Sequence, residues 1–163
     1  MARSAVVVVD TDLGFNKIMA DLLSLDRYEV LTGIQQGSKT TGKISNRRHQ
    51  PVGLDIAQYA AQNEFGTREI PQRSFMRTAV DENLALITSY ASQQLGLVID
   101  GAETPRIAFN RIGLLMTNLI QKKIGQITFP PNSPKTIAEK GSSKPLIDFG
   151  SMIAAVRYTT RKR

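Results

Sequence analysis

Residues 59–77 constrain the fold more than any other stretch, because they place two helices at the ends of a short connector. An amphipathic helix is predicted to end at Gly66, since glycine commonly follows a helix C-terminus. Pro71 stiffens the connector, and the apolar pair Phe75 and Met76 then opens a second helix. The stretch holds no recognisable catalytic nucleophile, metal-ligand cluster or phosphate cradle. It is therefore predicted to fix the geometry between two elements.

Size and composition predict one soluble domain spanning 1–163. The hydrophobic fraction is 41%, which is enough for a modest core, and there is no cysteine. The absence of cysteine excludes disulfides, thiolate metal sites and cysteine nucleophiles. No apolar run approaches the ~20 residues that cross a bilayer, so no contact with a membrane is expected.

The first part of the chain predicts two strands around one helix. Val6–Val9 is a β-branched run typical of a strand. Leu13–Leu25 has apolar residues at helical spacing, with Asp12 as the predicted N-cap. Tyr28–Ile34 is predicted to be the second strand.

Three helices are predicted in the middle of the chain. Asp55–Phe65 is the first, and a long helix runs from Ser74 to about Asp100, where Gly101 ends it. The apolar stripe predicted for the long helix contains Met76, Val80, Leu84, Ile87, Ala91, Leu95 and Val98.

The third of these helices begins at Thr104 and Pro105 and runs to about Ile127. Its predicted buried stripe is Ala108, Ile112, Leu115 and Leu119. Because a short link joins it to the preceding helix, the two are expected to pack antiparallel. Ala154–Thr160 alternates and predicts a final strand. The predicted fold class is α+β, with a small mixed or antiparallel sheet packed against a long antiparallel helix pair.

Two segments carry much of the excess positive charge, which is +7 from 21 Lys and Arg against 14 Asp and Glu. Residues 35–51 are predicted to form an extended basic loop, and residues 157–163 a basic C-terminal tail. Both are interpreted either as solvated segments or as surfaces for DNA or a protein neighbour. The candidates for such contact are Lys39, Lys43, Arg47, Arg48, Arg157, Arg161, Lys162 and Arg163.

Enzyme motifs occur only in part. Gly37–Lys43 matches the start of a phosphate-binding loop, but Ile44 stands where a Ser or Thr hydroxyl would bind magnesium. Asp10 and Asp12 follow an apolar strand, as in aspartate-based phosphatases, without a later acidic pair to complete a metal site. Asp148-Phe149-Gly150 lacks every other kinase element. No catalytic residue, cofactor or metal site is predicted.

Glu64 is the motif residue that most resembles a catalytic carboxylate. It has no evident acidic partner, so the predicted role is structural. It is expected either to pair with Arg68 or Arg73, or to cap backbone N–H groups.

Residues 59–75 resemble a motif of the tailed-bacteriophage virion morphogenesis family. That motif runs roughly Tyr-Ala-x-x-x-Glu-Phe-Gly-Thr and then Pro-x-Arg-Pro-Phe, and Ser74 here replaces the second proline. A second block resembles the family's Thr-Ile-x-x-Lys and Pro-Leu-x-Asp-Thr-Gly-x-Met segments, with Phe149 in place of threonine. The motif residues assigned to the fold or to subunit contact are Tyr59, Glu64, Phe65, Gly66, Pro71, Arg73, Phe75, Pro145, Leu146, Asp148 and Gly150.

The resemblance implies a non-enzymatic structural protein of the neck or tail, either a head–tail joining or a tail-completion protein. Such a protein forms a ring, with sixfold symmetry expected at the tail and twelvefold at the portal side. Its neighbours would be connector, head-closure, tail-terminator or tail-tube proteins, and its location the virion after assembly in the host cytoplasm. Phe65 and Phe75 are expected to pack in the core in preference to an interface.

Two other functions stay open from the residues alone. A nucleic-acid-binding module using the basic loop and tail predicts salt-dependent DNA binding by the monomer. A phosphatase or NTPase built on Asp10, Asp12 or Lys43 predicts magnesium-dependent turnover.

Overall fold

The described residues form an α+β structure in which helices predominate. The computed structural model describes residues 13–37, 55–126 and 151–163, together with positions 134, 137 and 138. The helices are α1 (Phe15–Ser24), α2 (Ile56–Phe65), α3 (Phe75–Glu82), α4 (Leu84–Ile99), α5 (Pro105–Gly125) and α6 (Ser151–Ala155). A 3-10 turn (Leu25–Arg27) follows α1, and the strands are β1 (Tyr28–Ile34) and β2 (Val156–Lys162).

Strands β1 and β2 form a two-stranded antiparallel sheet from distant parts of the chain. Tyr28 lies opposite Lys162 and Ile34 opposite Val156, so the pairing runs the full length of both strands. The antiparallel sheet and the bounds of β1 are confirmed. The third predicted strand, Val6–Val9, lies outside the described residues.

Helix α5 lies against the preceding helices in antiparallel register. Arg111 bonds to Gln94, and Lys123 bonds to Glu82. Moving back along the chain from 94 to 82 therefore moves forward along α5 from 111 to 123. The predicted antiparallel packing is confirmed, and Gly101 (φ 71°) ends α4 as expected.

The predicted single helix from Ser74 to Asp100 is wrong in one respect, because it is interrupted at Asn83. This residue has φ −117° and ψ 16°, outside the helical range. Its side-chain amide donates to the Ala79 carbonyl at 2.8 Å, and its backbone N–H donates to Val80 at 3.1 Å. Asparagine side chains compete in this way with helical backbone bonds, and here the competition separates α3 from α4.

The apolar stripe predicted for this region is confirmed only in part. Val98 is buried and Leu84 is exposed. The other predicted members, Met76, Val80, Ile87, Ala91 and Leu95, are partly buried. Phe75, Ala79 and Gln94 are buried but lie outside the predicted stripe. In α5 the prediction holds for Ala108 and Ile112 but then takes the wrong spacing. The buried residues continue at Ile120 and Ile124, while Leu115 and Leu119 are only partly buried. Because α5 has apolar residues at 115 and 119 as well as at 120 and 124, the sequence is compatible with either continuation of the buried stripe after Ile112.

The main core lies between α2, α3, α5, α6 and β2. Phe75 is fully buried at its centre, and the half-buried Tyr59 packs against it from α2. The other buried members are Ile56, Ala60, Ala79, Ile120, Ile124, Met152, Ala155 and Val156. Since α2 and α3 both contribute to this core, the connection between them decides whether it can form.

The chain end differs from its prediction in two ways. The final strand begins at Val156, because residues 151–155 form α6 instead of extended structure. The proposed basic tail at 157–163 is wrong, since residues 157–162 belong to β2 and pair with β1. A bulky polar residue can occupy an edge strand when its side chain points to solvent, as Arg157 and Arg161 do here.

The sheet packs directly on α5 at Gly113. A methyl group added at Gly113 would lie 2.6 Å from the Tyr158 ring and 2.7 Å from a Val30 methyl carbon. Both distances are shorter than real carbon contacts, so glycine is the residue that permits this approach. The inner face of the sheet is thus held against the helix by the absence of one side chain.

Replacement of Gly113 with alanine is expected to lower the free energy of unfolding by about 1–3 kcal/mol, the usual cost of overpacking a core. Alanine would otherwise favour the helix, so destabilisation here reports the close contact. Gly96→Ala is the matched control, because no described residue outside the neighbouring backbone of α4 has an atom within 4 Å of a methyl group added at Gly96. It should stabilise by about 0.5–1 kcal/mol. Denaturant unfolding of both variants checks this, and equal effects at the two sites would contradict it.

Candidate functional site

The joint between α2 and α3, residues 63–77, contains six residues of the sequence motif: Glu64, Phe65, Gly66, Pro71, Arg73 and Phe75. The connector within the joint begins at Gly66, which has φ 76°. An added Cβ at Gly66 would lie 3.1 Å from the backbone nitrogen of Gln72. The positive φ and this close approach both favour glycine, so α2 ends here as predicted.

A tight turn at Thr67 closes the connector. The Thr67 hydroxyl accepts bonds from the backbone N–H groups of Glu69 (3.2 Å) and Ile70 (2.9 Å). The Thr67 N–H donates to the Ile70 carbonyl at 2.8 Å. Three bonds within four residues hold the loop in one conformation without help from the core.

Glu64 caps the N-terminus of α3. Its two carboxylate oxygens accept the backbone N–H groups of Met76 (2.9 Å) and Arg77 (3.0 Å). The first N–H group of α3, that of Phe75, donates to the Arg73 carbonyl at 2.7 Å. The N-terminal N–H groups of a helix have no partner within the helix, and all three of these are satisfied here. Of the two structural roles predicted for Glu64, the cap is confirmed.

Asn63 and Arg73 form the second connection across the joint. The Arg73 N–H donates to the Asn63 carbonyl (2.6 Å), and its guanidinium donates to the Asn63 side-chain oxygen (2.9 Å). The Asn63 amide donates in turn to the Tyr59 carbonyl at 3.0 Å. Both residues are buried, and burial lowers the pKa of the Arg73 guanidinium while Tyr59 opposes that shift. Arg73 therefore organises the fold, as predicted.

Asn63 was missed by the sequence interpretation. It lies in the middle of a helical stretch, where an asparagine usually faces solvent. Asn63 is fully buried and makes three hydrogen bonds, one to Tyr59 and two with Arg73. The bonds with Arg73 form only because the connector brings residue 73 back to the end of α2. A polar residue four positions after Tyr59, on the apolar face of α2, was the only available signal.

Ser74 and Gln72 satisfy the end of α2. The Ser74 hydroxyl donates to the Glu64 carbonyl at 3.0 Å, and the Gln72 amide donates to the same carbonyl at 3.3 Å and to the Ser74 oxygen at 2.9 Å. Proline, which the resembling motif has at this position, could not donate this bond. The departure at Ser74 thus adds a contact between the two helices.

The two phenylalanines of the motif occupy opposite environments. Phe75 is fully buried, which confirms core packing. Phe65 is 68% exposed, so core packing was the wrong prediction for it. Phe65 is the last residue of α2 and lies on the same face of the helix as the exposed residues Gln58 and Ala61. Pro71 is also exposed, so both lie on the outer surface of the joint.

The basic residues at the chain end are largely engaged within the sheet. Arg161 and Arg163 both bond to the Glu29 carboxylate, the latter at 2.8 Å. Lys162 lies over the Tyr28 ring, 5.8 Å from its centroid. The bonds from Arg161 and Arg163 hold the pKa of the Glu29 carboxyl below its ordinary value. Arg157 is exposed on the outer face of the sheet.

The remaining predicted site residues lie outside the described residues. They are Lys39, Lys43, Arg47, Arg48, Pro145, Leu146, Asp148 and Gly150. The same applies to Asp10 and Asp12, on which, together with Lys43, the enzyme alternatives depended.

The described ranges contain no group of three His, Cys, Asp or Glu residues placed to hold a metal ion. A shallow polar depression lies where α5 meets the break at Asn83, and it is lined by Glu82, Lys122, Lys123 and Gln126. Lys123 is buried there and bonds to both Glu82 oxygens at 2.8 Å. No helix in the part of the chain that the structure describes is long and apolar enough to cross a bilayer.

Searches against models of protein families, against curated proteins and against solved structures each returned no match.

Replacement of Glu64 with alanine is expected to lower the free energy of unfolding by about 2 kcal/mol, because two N–H groups of α3 lose a charged acceptor. Glu64→Gln keeps one acceptor oxygen and should cost less. Glu69→Gln is the control, since Glu69 is exposed on the connector, and its effect should stay within about 0.5 kcal/mol. Equal unfolding midpoints for Glu64→Ala and Glu69→Gln in denaturant titrations would contradict the cap.

The Glu29 carboxyl is expected to titrate below the ordinary glutamate pKa in the full chain, as followed by carboxyl carbon NMR. Its pairs contribute stability above that ordinary value, and the contribution is lost as the pH falls through the lowered pKa. Arg161→Ala should raise the pKa most, followed by Arg163→Ala. Arg157→Ala, from the same strand, should leave it unchanged. An unshifted Glu29 midpoint in the wild type would show that these pairs are broken in solution.

Proposed function

We propose that this chain is a structural protein of the bacteriophage neck or tail. In this proposal it is a head–tail joining or tail-completion protein that assembles in the host cytoplasm and stays in the virion. Its contacts are other copies of itself and connector, head-closure, tail-terminator or tail-tube proteins. The support is the resemblance of two blocks of sequence, in the same order as in that family, and the structural use that one of them makes of its residues.

The observation that carries the proposal is that the polar motif residues of the joint, Glu64 and Arg73, are engaged in hydrogen bonds within the chain. Glu64 uses both oxygens on backbone N–H groups, and Arg73 is buried against Asn63. A general acid or base must reach a substrate atom, and a carboxylate bonded in this way to two N–H groups does not. The motif therefore does structural work, as expected of an assembly part, and we do not propose an enzymatic activity.

The ring is proposed to be hexameric, with a dodecamer as the form expected on the portal side. Rings arise from head-to-tail contacts between different surfaces of identical subunits, repeated until they close. Phe65 and Pro71 are both exposed on the hydrogen-bonded joint. Exposed apolar residues on a segment that is already ordered suit contact with a neighbour, because little order has to be gained on binding.

Nucleic-acid binding by the C-terminal basic residues has weaker support. Arg161 and Arg163 share the Glu29 carboxylate, and part of their charge is neutralised within the chain. We therefore retain contact with genomic DNA in the channel as a secondary feature of the ring, and not as a separate function.

The test is deletion of the gene from its phage, followed by electron microscopy of the lysate. We expect DNA-filled heads and separate tails, or tails of defective length, with normal particles restored by the wild-type gene in trans. Immunogold labelling of complete virions should place the protein at the neck or at the tail end. Normal infectious particles after deletion, or virions that lack the protein, would contradict the proposal.

A further inference from the structure

Helix α1 carries an apolar stripe that the rest of the described chain covers only in part. Its covered side includes Ile18, which lies against Gly101 at the end of α4. Phe15 is 67% exposed and Leu23 is 70% exposed, with Met19 between them on the same side. No residue of α1 is fully buried. An exposed row at i, i+4 and i+8 on a short helix is the pattern of a surface that packs against another helix.

Helix α4 carries a second surface that the other described residues cover only in part. Its 16 residues include no charged side chain, and only Gln94 and Val98 are buried. Leu84 and Leu86, in its first turn, are 59% and 50% exposed. Exposed helix surfaces normally carry charged residues, and depletion of charge is the compositional mark of an interface core.

The two surfaces lie at different places on the molecule. Helix α1 meets the C-terminal end of α4, through the contact of Ile18 with Gly101. Leu86 lies fifteen residues before Gly101, which is roughly 20 Å along a helix. Within one chain, the contact of Ile18 with Gly101 therefore lies at the opposite end of α4 from Leu84 and Leu86.

Electrostatics favours contact between copies through these two helices. The chain has a net charge of +7, so two copies repel wherever cationic surfaces meet. In α1 the single cation, Lys17, is paired with the single anion, Asp21, at 3.0 Å. Helix α4 contributes no charge at all. Both helices are thus electrically neutral in a basic chain, and like-charge repulsion is least where they meet.

We propose that the row Phe15, Met19 and Leu23 of one copy docks on the first turns of α4, at Leu84 and Leu86, of the next copy. The contact joins two different surfaces, so it is head-to-tail and can repeat around a ring; this ring geometry rests on the proposed function. Each side chain offers roughly 60–120 Å² of apolar surface when fully buried. The five residues therefore form the core of an interface, and polar neighbours complete the ~800 Å² per partner that stable contacts bury.

The test is sedimentation of the full-length protein over a wide concentration range, with Leu23→Glu and Leu86→Lys as separate variants. Each change should weaken self-association about tenfold or more, because it buries a charge in an apolar contact. An equimolar mixture of the two variants should associate like the wild type. Where the two variants alternate around a ring, every contact is either wild type or pairs Glu at 23 with Lys at 86, so alternating rings should form.

Leu31→Glu is the matched control, since Leu31 is 50% exposed on the outer face of the sheet and away from both helices' stripes. It should leave association unchanged, and circular dichroism should show all variants folded. A wild type that stays monomeric throughout, an equal loss with Leu31→Glu, or no recovery in the mixture would overturn the assignment. Loss with Leu23→Glu alone would indicate an α1–α1 contact and would also overturn it.

Failure of this surface is distinguishable from failure of the proposed function. If the protein is found at the neck of virions but both variants associate like the wild type, the proposed surface is wrong and the proposed function stands. If the variants weaken association as expected but virions lack the protein, the surface stands and the proposed function is wrong.

Discussion

The fold depends on a carboxylate from one helix capping the next. Glu64 is the penultimate residue of α2, yet its oxygens accept the N–H groups of Met76 and Arg77 in α3. If the side chain at the N-cap of α3 itself supplied the cap, the cap would not determine the angle between α2 and α3. A cap delivered from the preceding helix fixes that angle, and it directs Phe75 into the centre of the core. The Arg73–Asn63 bonds and the Ser74–Glu64 bond also join the end of α2 to the start of α3. One short segment therefore sets the relative position of these two helices in the core.

Close packing of the sheet on α5 is the second constraint. Strands β1 and β2 come from opposite ends of the described chain, and a two-stranded sheet alone is only marginally stable in water. Gly113 allows Tyr158 and Val30 to reach the helix surface, which supplies the missing support. The outer face then carries Glu29 with its arginines. Charge at the chain end is thereby held in the sheet.

Local signals in the sequence were sufficient for most helix ends and for one strand. Asp55 caps α2 through the Ala57 N–H (2.9 Å), Gly66 and Gly101 end helices with positive φ, and Pro105 begins α5. Each of these depends on neighbouring residues only. The break at Asn83 and the start of β2 at Val156 were not predicted, because an asparagine within an apolar period and an alanine before a strand are compatible with either structure. The burial of Asn63 depends on the return of the chain at Arg73, which no local pattern predicts. Most of the first motif block lies in this joint, but the bonding partners of its residues are evident only in three dimensions.

Amide hydrogen exchange at Met76 and Arg77, measured by NMR on the full chain, tests the capping of α3 most directly. In an uncapped helix these first-turn amides exchange rapidly, because they have no acceptor within the helix. With Glu64 in place they should be protected to nearly the same degree as the core amides of α3, and Glu64→Ala should abolish that protection before it affects α5. Rapid exchange at both amides in the wild type, with the rest of α3 protected, would contradict the account.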